Sequence, residues 1–112
     1  MYDSVRGRAR RVLVVGSAAD DPEISPHTML TPDGIMIVME ADAVRATELR
    51  RRLAQDAAGE RTTIIGGDPR RMLYKLAGPF DVIVCDAAHL SLRPMLDKLL
   101  APDGILITHG EL

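Results

Sequence analysis

The chain has 112 residues, 46% of them apolar and 27% charged, with a formal net charge of −2. That balance is ordinary for a globular domain and argues against both a disordered tail and a membrane-spanning bundle. With three aromatic residues (two Tyr, one Phe) there is no stacking platform for bases, so nucleic acid is set aside: Arg6, Arg8, Arg10 and Arg11 read as a solvated arm and Arg50 to Arg52 as a solvated helix face.

Residues 1–112 are expected to form one domain, with room for about five short strands and a few helices. The segment Met1 to Arg11 is polar and arginine-rich and lacks the apolar core of a secretory leader, which makes the cytoplasm the expected location. The first apolar run, Val12 to Val15, predicts a strand that ends at Gly16. The next stretch, "SAADDPEISPHTML", carries two aspartates and two prolines where a G-x-G-x-x-G loop would carry further glycines. Asp21-Pro22 and Ser25-Pro26 are alternative helix starts, and either leaves a short first helix.

The second run, Ile35 to Met39, ends at Glu40. After it, residues 42–57 place Ala46, Leu49, Leu53 and Ala57 at helical spacing, with Asp42 as the N-cap. The third run is Thr62 to Ile65; Asp68 and Pro69 then provide an N-cap and a first helical residue for a short helix that ends at Gly78-Pro79. The fourth run, Phe80 to Cys85, contains the only cysteine, read as a small buried strand residue. Within 90–104, Leu96, Leu99 and Leu100 form the apolar face of a helix stopped by Pro102, and the fifth run is Ile105 to Thr108. The phrases "TPDGIMIV" and "APDGILIT", at 31–38 and 101–108, read as turn chemistry feeding a strand.

The runs are nearly continuous in apolar residues rather than alternating, as in a parallel sheet covered on both faces. The fold class is therefore α/β, a doubly wound sheet of five strands in the order 3-2-1-4-5. Ligands of such sheets bind outside the carboxyl ends of the strands, near the reversal of strand order, which here means Gly16, Glu40, Gly67 and Asp86. Glu40 alone suits a ribose of either a nicotinamide dinucleotide or S-adenosylmethionine, or is simply a solvated acid. Asp68 and Asp86 add acids at the two further strand ends, and like charges gathered at one rim are destabilising unless a ligand or metal uses them.

The stretch from "DGIMIVMEADAV" through "TTIIGGDPRRML" and "FDVIVCDAAH" to "APDGILIT" resembles the class I S-adenosylmethionine-dependent O-methyltransferases of the catechol and caffeoyl-CoA type. The set that carries it is an acid after strand two, Gly-Asp after strand three, and Phe-Asp…Asp-Ala along strand four. The resemblance implies a Rossmann-like methyltransferase fold that lacks the family's C-terminal hairpin, with S-adenosylmethionine as cofactor. It places the cofactor against Gly16, Ser17, Ala18 and Asp20, against Glu40 and Ala41 on the ribose side, against Gly67, Asp68 and Pro69 on the adenine side, and against Asp86 by the sulfonium. Asp86 and His89 are the implied catalytic candidates, with His89 as a general base.

Departures from the family are equally specific. Val14 and Asp20 stand where the family has an acid and a second loop glycine. His109 and Gly110 stand where its metal-dependent members have an Asp-Asn pair, so Asp86 and His109 supply two divalent-metal ligands from a set of three. The leading expectation is O-methyl transfer to a small hydroxylated molecule. The alternative is a catalytically inactive relative acting as a ligand-binding or dimerisation module, with a dinucleotide oxidoreductase third for want of its glycine loop. A homodimer through the strand-five edge is expected, because "GILIT" lies beside unpaired backbone groups there.

Overall fold

The computed structural model describes residues 5–16, 24 and 26–110. Its strands are β1 (Ala9–Val15), β2 (Leu30–Glu40), β3 (Thr62–Gly66), β4 (Phe80–Asp86) and β5 (Leu100–His109). They pair in parallel throughout, in the order β3-β2-β1-β4-β5. Connecting them are α1 (Pro26–Met29), α2 (Ala43–Ala54), α3 (Pro69–Met72) and α4 (Arg93–Leu99), with 3₁₀ turns at Ala57–Arg61, Leu73–Lys75 and Ala87–Leu92.

Alternation along the strands divides the core in two. Val12, Val14, Val38, Val84 and Ile107 pack with Met29 of α1 and Leu49 of α2 on one face. Leu13, Val15, Met39, Ile83 and Cys85 pack with Leu73, Leu92 and Leu96 on the other. Because both faces are covered, the central strand has no polar side: Val12 to Val15 are all fully buried, which is why their run reads as continuous.

Local chemistry explains the helix boundaries. The Asp42 carboxylate accepts from the N–H groups of Val44 (2.8 Å) and Arg45 (3.3 Å), fixing the start of α2. That helix ends at Ala54, short of the expected residue 57; Ala57 belongs to the following 3₁₀ turn. Helix α1 starts at Pro26, the second of the two expected starts, and is a single turn; Asp21 and Pro22 lie outside the described residues. Helix α4 ends at Leu99, so Leu100 begins β5 and Pro102 lies inside that strand rather than terminating a helix.

The two Pro-Asp-Gly phrases do more than punctuate. Leu30 faces Ala9 and Ile35 faces Arg11, five steps along β2 against two along β1. Leu100 faces Phe80 and Ile105 faces Val82, again five steps against two. Each phrase is thus the same bulge at the amino end of its strand, β2 against β1 and β5 against β4. A Cβ on Gly34 would stand 2.8 Å from the Ala9 carbonyl oxygen, and one on Gly104 would stand 3.0 Å from that of Phe80, so both bulges exclude a side chain. Gly34→Ala and Gly104→Ala are each expected to destabilise by about 1–3 kcal/mol in urea unfolding. A neutral Gly104→Ala would show that the bulge accommodates a methyl group.

Candidate functional site at the carboxyl rim

The register brings together a row of residues across the sheet at its carboxyl ends. Val15 of β1 faces Met39 of β2 and Cys85 of β4, so the next residue, Gly16, is flanked by Glu40 and Asp86. Glu40 is opposite Gly66, and Asp86 is opposite His109. This is the point where strand order reverses, with the chain leaving β1 toward β2 on one side and β4 beginning the other half.

Gly16 has φ of +84°, a conformation that glycine adopts without strain. A Cβ built on it would overlap the Asp86 carboxyl group, so the backbone of the first loop and the Asp86 side chain are in direct contact. Asp86 and Glu40 are the two polar side chains among the buried described residues, 6% and 5% exposed. Burial first, and the charges of Asp42 and Asp86 next, push the Glu40 carboxyl up from its ordinary range, while His89 and the Ala41 N–H pull it down.

Neither acid stands alone. Arg45 Nε lies 2.8 Å from Glu40 Oε1, and His89 Nδ1 lies 2.5 Å from Asp86 Oδ1. The expectation that gathered carboxylates must await a ligand or metal is therefore corrected for these two: α2 returns a guanidinium to Glu40, and the turn after β4 returns an imidazole to Asp86.

Asp68 is on the same rim, because Gly67 N–H donates to the Glu40 carbonyl at 3.1 Å and ties the end of β3 to the end of β2. Its side chain is exposed and caps α3, accepting from Arg70 N–H at 3.0 Å, while Pro69 is buried at the first helical position. Asp68→Ala is expected to cost about 1 kcal/mol in unfolding free energy and Asp68→Asn much less, since asparagine caps equally well. Equal losses in the two would assign the effect to charge. Ala41 is exposed beside the row. Ser17, Ala18 and Asp20 lie outside the described residues.

The described residues contain no group of three or more His, Cys, Asp or Glu side chains placed to share a metal ion. Asp86 and His109 are neighbours in register but have no third ligand among them, and Asp86 Oδ1 is engaged by His89. This donor set does not fit a three-ligand divalent site. Cys85 is buried, with its thiol pushed up to about 11 by burial and then by Asp86, and it matches the reading of a small buried strand residue. A separate cleft of about 730 Å³ runs between the end of α2 and β3, past Arg50, Leu53, Glu60 and Thr62, and shares no residue with the row.

Arg45 is the site residue that sequence reasoning missed. A readable signal existed: an arginine in the first turn of a helix opposes the helix dipole, so its presence there asks for an acidic partner.

No protein-family model matches the chain, and no curated protein is similar enough to count as a relative. Solved structures do match. The O-methyltransferase TomG from Streptomyces achromogenes, involved in tomaymycin synthesis and solved with S-adenosylmethionine, superposes with a TM-score of 0.73 at 22% identity, over 90% of this chain and 48% of its own. An O-methyltransferase from Bacillus cereus in complex with S-adenosylhomocysteine gives 0.73 at 20% identity, over 89% and 49%. A precorrin-6Y C5,15-methyltransferase from Geobacter metallireducens gives 0.70 at 17% identity, over 88% and 52%. These likenesses establish the Rossmann-like methyltransferase fold, and the chain spans about half the length of the proteins it matches.

Proposed function

We propose that residues 1–112 form the cofactor-binding domain of an S-adenosylmethionine-dependent methyltransferase that methylates a hydroxyl oxygen of a small molecule. One observation carries this reading: Glu40, Gly16 and Asp86 stand side by side where strand order reverses, in a fold shared with methyltransferases solved with S-adenosylmethionine or S-adenosylhomocysteine. The fold also hosts methylation at other atoms, as the precorrin enzyme shows for its own chain. Transfer to oxygen is favoured by the Asp86–His89 pair, which is arranged to receive a hydroxyl proton.

The residues present fit the adenosyl end of the cofactor. Gly16 lets backbone approach closely, Glu40 accepts from the ribose, Ala41 lies beside it, and Gly67, Asp68 and Pro69 border the adenine. The cofactor supplies an electrophilic methyl group on a sulfonium. Asp86 accepts from His89 Nδ1–H and so sets the tautomer whose Nε2 takes the proton from the acceptor hydroxyl. No step is assigned to a metal.

We further propose a cytoplasmic protein that pairs with a second copy through the edge of β5, where Ile105 is 42% exposed. None of the described helices is long and apolar enough to cross a membrane. Light scattering is expected to give twice the chain mass, and a monomer across all concentrations would reject the pairing.

The function is tested by calorimetry with S-adenosylhomocysteine, followed by methyl-transfer assays on phenols and catechols with and without magnesium. The wild type is expected to bind and to transfer. His89→Gln is expected to lower transfer by about 10²- to 10⁴-fold with little change in cofactor affinity. Binding without transfer to any hydroxylated acceptor would support the non-catalytic alternative, and no binding would reject the assignment.

A further inference from the structure

We propose that Arg45 is the positioning residue of the ribose subsite: by engaging Oε1 of Glu40 it holds the carboxylate in one orientation and leaves Oε2 as the stronger acceptor, so that one hydroxyl of an adenosyl ribose is gripped more tightly than the other. The inference rests on the methyltransferase reading, because it needs Glu40 to face the ribose.

A carboxylate that receives both hydroxyls of a ribose presents one oxygen to each, and an oxygen that already accepts from a guanidinium has one lone pair left and is the weaker acceptor for a hydroxyl. Here Arg45 Nε stands 2.8 Å from Oε1, and the N–H of Ala41 bonds the same carboxylate. The Glu40 side chain is 7% exposed, so little of the carboxylate remains open to the rim.

Arg45 is held in place by the backbone beneath it. Its own N–H donates to the Asp42 cap at 3.3 Å, which fixes the first turn of α2 and aims the side chain back over the end of β2. Besides Arg45, the charged and titratable groups acting on Glu40 are Asp42 at the start of α2, Asp86 at the end of β4 and His89 in the turn that follows it. Two of these are acids that oppose its ionisation, so the guanidinium supplies the countercharge that keeps a buried carboxylate both charged and oriented. The fork geometry matters as well as the charge.

The experiment is calorimetric titration of S-adenosylhomocysteine and its 2′-deoxy and 3′-deoxy analogues into the wild type, Arg45→Ala and Arg45→Lys, repeated at increasing pH from 4.5 upward. The wild type is expected to lose about tenfold or more in affinity for one deoxy analogue and less than about threefold for the other. Arg45→Ala is expected to bind S-adenosylhomocysteine about tenfold more weakly, with a deficit that shrinks as pH rises and Glu40 gives up its proton, and Arg45→Lys to recover part of it.

Equal losses for the two analogues, or an Arg45→Ala deficit that is the same at every pH, overturn the inference while leaving the methyltransferase reading standing. No binding of S-adenosylhomocysteine by the wild type overturns both. Should Arg45→Ala fail to fold, the two analogues on the wild type decide alone.

Discussion

Gly16→Ala is expected to destabilise the protein by about 2–5 kcal/mol and to abolish cofactor binding. Two independent effects add. At φ of +84° an alanine is strained by about 1–2 kcal/mol. Its methyl group would also overlap all three atoms of the Asp86 carboxyl group, and forcing an extra group into a filled site costs about 1–3 kcal/mol more. Asp86 has no easy retreat, being buried and bonded to His89 at 2.5 Å. Relief requires it to swing away from the row, which dismantles the pair proposed to receive the proton. The double variant Gly16→Ala with Asp86→Ala separates the terms: it is expected to regain the overlap part of the stability loss, measured by urea unfolding, and to regain no methyl transfer. Additive losses in the double variant would show that the two residues do not touch in solution.

The sheet was legible because its signal is redundant. The runs at the centre of the sheet, Val12 to Val15 and Val82 to Cys85, are apolar on both faces, and a chain with that pattern has few parallel arrangements open to it. Boundaries were less legible where two rules competed. Leu100 and Pro102 illustrate this: helical spacing extends to Leu100, yet the chain leaves the helix after Leu99 and pairs Leu100 with Phe80. A proline within an edge-strand bulge gives up no ladder hydrogen bond that the bulge has not already broken. The Pro-Asp-Gly phrases were visible as turns, but their shared role needed the register, since only the partner strands reveal that each phrase adds the same number of residues.

At the site, sequence spacing sufficed to put Glu40, Asp68 and Asp86 on one rim, because Glu40 and Asp86 each end a strand and Asp68 follows the end of β3 by two residues. It did not reveal which acids were already engaged. Asp68 serves as a cap, Asp86 holds His89, and Glu40 holds Arg45. The Arg45 contact closes across five residues, a separation that a strand-to-helix corner creates and that neither strand nor helix periodicity contains, and the His89 contact is an i,i+3 pair whose first member ends a strand. A periodicity argument describes the interior of an element; these contacts form where one element hands over to the next.

Glu40→Gln is expected to weaken S-adenosylhomocysteine binding by about 1.5–3 kcal/mol, roughly 10- to 150-fold in Kd, while removing a pH-dependent loss of stability. The weaker binding follows from the proposed ribose contact, in which an amide would replace a charged acceptor. The pH effect is one of linkage. The Glu40 carboxyl sits above its ordinary value of 4.5 in the folded protein, through burial first and then through Asp42 and Asp86. The folded state therefore holds this proton more tightly than the unfolded chain does. Whatever stability Glu40 contributes is present in full below the unfolded value and is lost as pH rises through the folded one. Glutamine carries no such proton, so the stability of the variant relative to the wild type should climb as pH rises from about 4.5 and then level off. Arg45, 37% exposed, can be rehydrated when its partner is neutral, which keeps the lost ion pair from masking the trend. Urea unfolding of both proteins over that pH range measures it directly. A wild type that gains stability over the variant across the same interval would mean that Arg45 more than offsets the burial of Glu40, and that this acid supports the fold as well as serving the ligand.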